Sequence, residues 1–155
     1  MTVNYGRTLS RWTAFLLSDG AAMRELGVNS INGVGLTSDE VEQTAFLDAI
    51  KGALPDTPNC KIRISGPFDN SANGSHAVLN ALNGLTTPRS LDVQVGIQHD
   101  WEAGEPQFGI TATATSGFCV SSYIPDVNAG TFTATLYMYS SSSAPAWGTA
   151  AEAVS

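Results

Sequence analysis

Two histidines, two cysteines and one cluster of carboxylates are the residues of this chain best suited to chemistry. His99 stands beside Asp100, Glu102 and Glu105, and carboxylates that close together can gather round a hard cation such as Ca²⁺. The regular Asp/Asn–Gly spacing of an EF-hand loop is missing, so the cluster reads as an acidic turn. His76 lies next to apolar residues at helical spacing, where a structural histidine is the expected reading. Cys60 and Cys119 sit in strand-like apolar runs and read as buried free thiols, at no zinc-ligand spacing. Ser18 has no base at a recognisable spacing to activate it. Gly-x-Ser-x-Gly, His-Glu-x-x-His and phosphate-binding glycine loops are all absent from the sequence. No catalyst, metal or cofactor is therefore expected.

The elements around these residues are mostly strands. Cys60, Ile62 and Ile64 alternate with Lys61, Arg63 and Ser65, the period of a strand with one buried face, and Gly66-Pro67 is read as its end. From about Gly74 to Asn83 the period becomes helical: Val78, Leu82 and Leu85 recur on one face, with Ala77 and Ala81 beside them. Asn73 or Ser75 can cap this helix, and Gly84 suits the left-handed position after it. Leu91, Val93, Val95 and Ile97 then alternate with Asp92, Gln94 and Gln98, the clearest strand in the chain and one expected to face the core. Further strands are read at Trp12 to Leu17, Phe108 to Thr115, Phe118 to Ser122 (stopped by Pro125-Asp126) and Thr131 to Tyr139. Val28 to Leu36 reads as a glycine-interrupted strand with Glu40 to Leu47 as its hairpin partner, a helix capped by Ser38 being the competing reading of the latter. Ala21 to Leu26 reads as a helical turn. One short helix among amphipathic strands predicts a mainly β fold, a β-sandwich with one flanking α-helix.

The totals fit a single domain over residues 1–155, with an N-terminal arm at 1–10, a long Gly/Pro loop at 48–59 and a Ser/Ala-rich tail at 140–155. Charged residues make up 14% and the net charge is −7. All seven Lys and Arg fall between Arg7 and Arg89, and residues 90–155 carry six acids and no base. No basic stripe exists to neutralise phosphates, which argues against tight nucleic-acid binding. No apolar run approaches the ~20 residues of a membrane span. Met1 to Arg7 lacks the apolar core of a signal peptide, so manufacture in a cytosol is expected.

The order of the elements resembles the major tail tube proteins of long-tailed, non-contractile bacteriophages. The resemblance is carried by Val41-Glu42-Gln43-Thr44-Ala45-Phe46 and by the loop through Gly52 and Pro55. It continues through Ile62-Arg63-Ile64-Ser65-Gly66-Pro67-Phe68-Asp69, Gly74-Ser75-His76-Ala77-Val78-Leu79 and Gly130-Thr131-Phe132-Thr133-Ala134-Thr135-Leu136. It spans roughly residues 10–140. It implies a tail tube fold, in which strands of the sandwich extend into an oligomeric β-barrel. It implies a structural virion protein, made in the host cytoplasm and located in the virion tail, that forms stacked hexameric rings and conducts DNA without binding it tightly.

The partners so implied are further copies of the chain and other tail proteins (tape measure, tail terminator and distal tail), with no membrane. Polar strand faces would line the lumen, with Glu40, Glu42, Asp92, Gln94, Thr111 and Thr113 as candidates. The loop residues Lys51, Gly52, Pro55, Asp56 and Pro58 are the candidate inter-ring contacts. The alternatives are a capsid decoration or head-completion protein, and a carbohydrate-binding β-sandwich using Trp101, Tyr137 and Tyr139.

Overall fold

The computed structural model describes residues 13–45, 49–50, 52–55, 58–95, 106–139 and 143–149. The described chain is mainly β, with one short helix. Strands β1 (Thr13–Ser18), β2 (Met23–Leu26), β7 (Leu91–Val95), β8 (Pro106–Ile110) and β11 (Ala146–Thr149) form an antiparallel five-stranded sheet in the order β11-β8-β7-β1-β2. Strands β3 (Ser30–Asn32), β6 (Lys61–Pro67), β9 (Phe118–Asp126) and β10 (Thr131–Met138) form a four-stranded sheet in the order β3-β6-β10-β9. A separate two-stranded ribbon pairs β4 (Glu40–Glu42) with β5 (Ala53–Pro55).

One core joins the two larger sheets. Phe15, Leu17, Leu91, Val93 and Phe108 come from the first, and Ile62, Ile64, Val120, Phe132 and Leu136 from the second. Lys61 and Arg63, which alternate with the buried residues of β6, are exposed. Helix α1 (Ser75–Leu82) adds Val78, Leu79 and Leu82 to the same core. At eight residues it is too short to stand alone in water, and this packing is what holds it. His76 ties it to the four-stranded sheet: its Nδ1 lies 2.9 Å from the Tyr123 hydroxyl.

Several expectations are corrected. Ala21 to Leu26 is a turn and strand β2, not a helical turn. The cause is Asp19, whose Oδ1 accepts from the Ala21 and Ala22 amides at 2.8 and 2.9 Å. Its Oδ2 meets Arg24 Nε at 2.8 Å, so the chain reverses and pairs back on β1. The strand expected over Val28 to Leu36 shortens to β3 and pairs with β6. Gly33, with φ of 85°, ends it against the Lys61 carbonyl. Residues 40–42 instead pair with 53–55, so the long loop contains a strand of its own.

The helix ends at Leu82, and Gly84 takes a positive φ of 79°. Leu85 therefore leaves the helical face and is exposed, and Leu79 takes its place in the core. The helix cap is Gly74, with no side-chain cap from Asn73 or Ser75. Strand β6 runs through Pro67. Strand β9 runs through Pro125, tolerated because β9 is an edge strand and need not donate on its outer side. Strand β8 stops at Ile110, after which Ala112 N–H bonds the Ser90 hydroxyl and Thr113 N–H closes a turn on the Ser116 carbonyl. The tail is docked in part: β11 pairs with β8, and the Trp147 ring lies 5.2 Å from Phe108. Val95 is partly buried against the core, as expected, while Ile97, the acidic turn at 99–105 and the arm at 1–10 lie outside the described residues.

The Asp19 turn makes a testable prediction. Hydrogen bonds from Ala22, Arg24 and Ala21 hold its carboxyl well below the usual carboxylate range. The stability it contributes is therefore complete above the unfolded value of ~4 and fades as pH falls toward the depressed one. Asp19→Ala should cost about 1–2 kcal/mol at pH 7. In denaturant titrations the gap from the parent should narrow steadily below pH ~4.

Candidate functional site

The outer face of the five-stranded sheet gathers several buried and half-buried polar groups on one regular element. Alternation within β7 turns Leu91 and Val93 inward and Asp92 and Gln94 outward. The register sets Gln94 beside Ala14 and Gln107, and Asp92 beside Leu16 and Gly109. Gln94 is only 8% exposed, and its Nε2 reaches Gln107 Oε1 at 3.5 Å. Its own Oε1 is buried without a hydrogen-bond partner among the described residues. Burial pushes the Asp92 carboxyl above its ordinary range, partly offset by a hydrogen bond from Gln107. Beside Asp92 runs a groove of about 270 Å³, lined also by Gln107, Gly109, Thr111 and Trp147.

Gly109 is what allows this arrangement. A Cβ there would collide with the Asp92 carboxylate and the Leu91 carbonyl. Neither Gln107 nor Gly109 stands out in the sequence, because their part follows from pairing with β7, a partner distant in the chain. The alternation of residues 106–110 was the available signal, and it needed the register to be useful.

The other expected site residues are dispersed. Thr111 joins Asp92 at the groove, and Thr113 lies in the turn beyond β8, exposed. Glu40 and Glu42 are exposed on β4, in a different sheet from Asp92 and Gln94. Gly52 precedes β5 and bonds back to Gln43 and Thr44. Pro55 ends β5, Pro58 is exposed, and Lys51 and Asp56 lie outside the described residues. Trp101 and the His99 cluster lie outside them too; Tyr137 is half-buried and Tyr139 exposed.

No group of three or more His, Cys, Asp and Glu among the described residues is placed to hold a metal. Cys60 and Cys119 are free and buried, and burial pushes both thiols up, away from the reactive thiolate. A mostly apolar opening of about 500 Å³, walled by Val28, Ile31, Val34, Val93, Val95 and Trp147 with Thr13, Asn29 and Ser30, has no titratable group among the described residues of its lining. What the outer sheet face can do is present a shaped, weakly acidic, uncharged-to-negative surface.

Comparison with solved structures finds the whole fold elsewhere. A chain in the tube-terminating cap of the anti-feeding prophage superposes with a TM-score of 0.62 at 15% identity, covering 97% of this chain and 95% of that one. A chain in the extended sheath–tube complex of a PVC extracellular contractile injection system gives 0.59 at 10% identity, covering 96% and 92%. A chain in the six-fold symmetrised anti-feeding prophage baseplate gives 0.58 at 11%, covering 96% of each. No family model matches the sequence, and no curated protein matches it. At these identities the likeness is one of fold. It extends over nearly the full length, and it reaches tail-type injection assemblies rather than non-contractile tail tubes in particular.

Two substitutions test the Asp92 environment. Gly109→Ala should cost about 1–3 kcal/mol, because backbone must move to admit the methyl group. Asp92→Asn should raise the denaturation midpoint at pH 7. A raised carboxyl pKa makes the parent's penalty complete above that pKa and relieves it as pH falls, so the gain should shrink toward pH ~4.

Proposed function

We propose that this chain is a structural subunit of a tail-type tube, assembling with itself into hexameric rings that stack around a channel for DNA. The observation that carries this reading is the end-to-end fold likeness to the tube-terminating cap chain, over 97% of this chain. The six-fold symmetry of the baseplate assembly supports rings of six. Among the described residues, β11 and β2 end one large sheet and β3 and β9 the other, β9 being covered only at Phe118–Val120 by Arg89 and Asn83–Gly84, and such edges are what neighbouring copies can extend into a continuous barrel. The tail proteins that a tube must meet at its ends and along its interior are further partners in this reading, and the virion tail is its location.

Charge supports placing one face at the lumen in this reading. DNA must slide along the inner wall without sticking, so that wall must lack bases. The outer face of the five-stranded sheet carries Glu25, Asp92, Gln94 and Gln107. The outer face of the four-stranded sheet carries Lys61 and Arg63. The first face suits a channel for a polyanion and the second does not.

A second reading, a terminating ring that caps a tube instead of extending it, is favoured by the cap itself being among the similar structures. Electron microscopy of the purified chain separates the two: stacked tubes support the subunit reading, and single rings the cap. A monomer at every concentration would remove both.

The lumen assignment predicts that Thr111→Lys, beside the Asp92 groove, leaves assembly intact but slows DNA passage. The slowing should be greatest at low salt, because each added phosphate contact is weakened by counterions. Delivery rates equal to the parent at all salt concentrations would place Thr111 away from the channel.

A further inference from the structure

Among the described residues, the β4–β5 ribbon pairs with no other strand. Its two strands pair with each other, and the Thr37–Asn59 bridge closes its root through amide–carbonyl bonds of 2.8 and 2.7 Å. A lone two-stranded ribbon is marginal in water and buries neither face. One face shows Val41 and Leu54, exposed by 43% and 59%. The other shows Glu40 and Glu42, exposed and without an ion-pair partner among the described residues.

The outer face of β6 is its opposite. Lys61 and Arg63 are exposed there, flanked across β10 by the neutral Tyr137 and Thr135. Neither has an ion pair among the described residues, whereas Arg24 is held by Asp19 and Arg89 is half-buried. Within each pair the two charges stand two residues apart on a strand, so both pairs have the same spacing of roughly 6.5 Å. Two unneutralised pairs of opposite sign and equal spacing thus occur on one chain, on elements that are not paired with each other.

We propose that the β4–β5 ribbon of one copy lies on the outer face of β6 in the next copy, with Glu40 and Glu42 facing Lys61 and Arg63. The contact joins two different surfaces, so it is head-to-tail and can close a ring or continue a stack. Like charges oppose ribbon-on-ribbon and sheet-on-sheet pairing, which gives the contact its direction. The apolar Val41–Leu54 face adds adhesion but no direction, because apolar burial is indifferent to orientation. This inference rests on the self-assembly reading and names the surfaces that it uses.

The test is charge exchange, read by sedimentation velocity and electron microscopy, with circular dichroism to check folding. Glu40→Lys with Glu42→Lys, and separately Lys61→Glu with Arg63→Glu, should each raise the concentration needed for assembly by about tenfold or more. Combining all four substitutions should bring it back near the parent value. An equimolar mixture of the two double variants should do the same, since each supplies the face the other needs. Parent-like assembly by either folded double variant overturns the proposal, and so does failure of both the combination and the mixture to restore it. A parent chain that never assembles overturns the self-assembly reading itself, and this contact with it.

Discussion

Phe15, Leu17, Val93 and Phe108 from one sheet meet Ile62, Val120, Phe132 and Leu136 from the other in a single apolar interior. A pleated strand can send only alternate residues there, so every strand that contributes to this core must also turn a second set of side chains away from it. The two outer faces are thus fixed by the same register that fills the core. A slip of one residue in β7 would bring Asp92 and Gln94 inside and put Leu91 and Val93 outside, at a cost no surface contact could offset. The chemistry of the outer faces is therefore as firmly specified as the packing.

Those outer faces differ in charge, although Asp126 of β9 shares the outward register of the four-stranded sheet. Lys61 and Arg63 lie on one sheet, Asp92 and Glu25 on the other, and the ribbon adds Glu40 and Glu42 at a third place. A monomeric protein under no assembly constraint gains little from such separation, since mixed charges keep it soluble just as well. In the proposed assembly, where copies meet in one orientation around a channel for a polyanion, the division would have a use. It would keep bases off one wall and give unlike surfaces a reason to find each other.

The sequence made the strong elements legible. Strands β6, β7 and β10 alternate over five to eight residues with large apolar side chains, and the helix announces itself by a change of period. What it left obscure depends on contacts between distant residues or on single side chains. Strand β2 is four residues long and exists because the Asp19 carboxylate folds the turn before it. The partner of β4 could not be read from a local pattern, because residues 53–55 are short and sit among prolines. Trp147 was isolated in a Ser/Ala-rich tail until β11 paired with β8 and set it against Phe108. The candidate site was half visible: Asp92 and Gln94 follow from alternation, but Gln107 and Gly109 join them only through the β7–β8 register.

The edges of the two sheets bear on how such a subunit stays free before it assembles. Strands β2 and β11 have four residues each and β3 has three, while β9 carries Pro125 within it. Short edges and an edge proline offer few hydrogen bonds to a passing chain, which protects against indiscriminate pairing. They also mean that edge-to-edge contact between two copies is weak by itself. In the proposed ring, each copy would make that contact on both sides, and in a stack it would gain face contacts as well. Once the first contacts have formed, later ones are made within the assembly at high effective concentration. In the proposed assembly, weak edges joined to charge-selected faces would give a subunit that stays free at low concentration and assembles cooperatively once a nucleus exists.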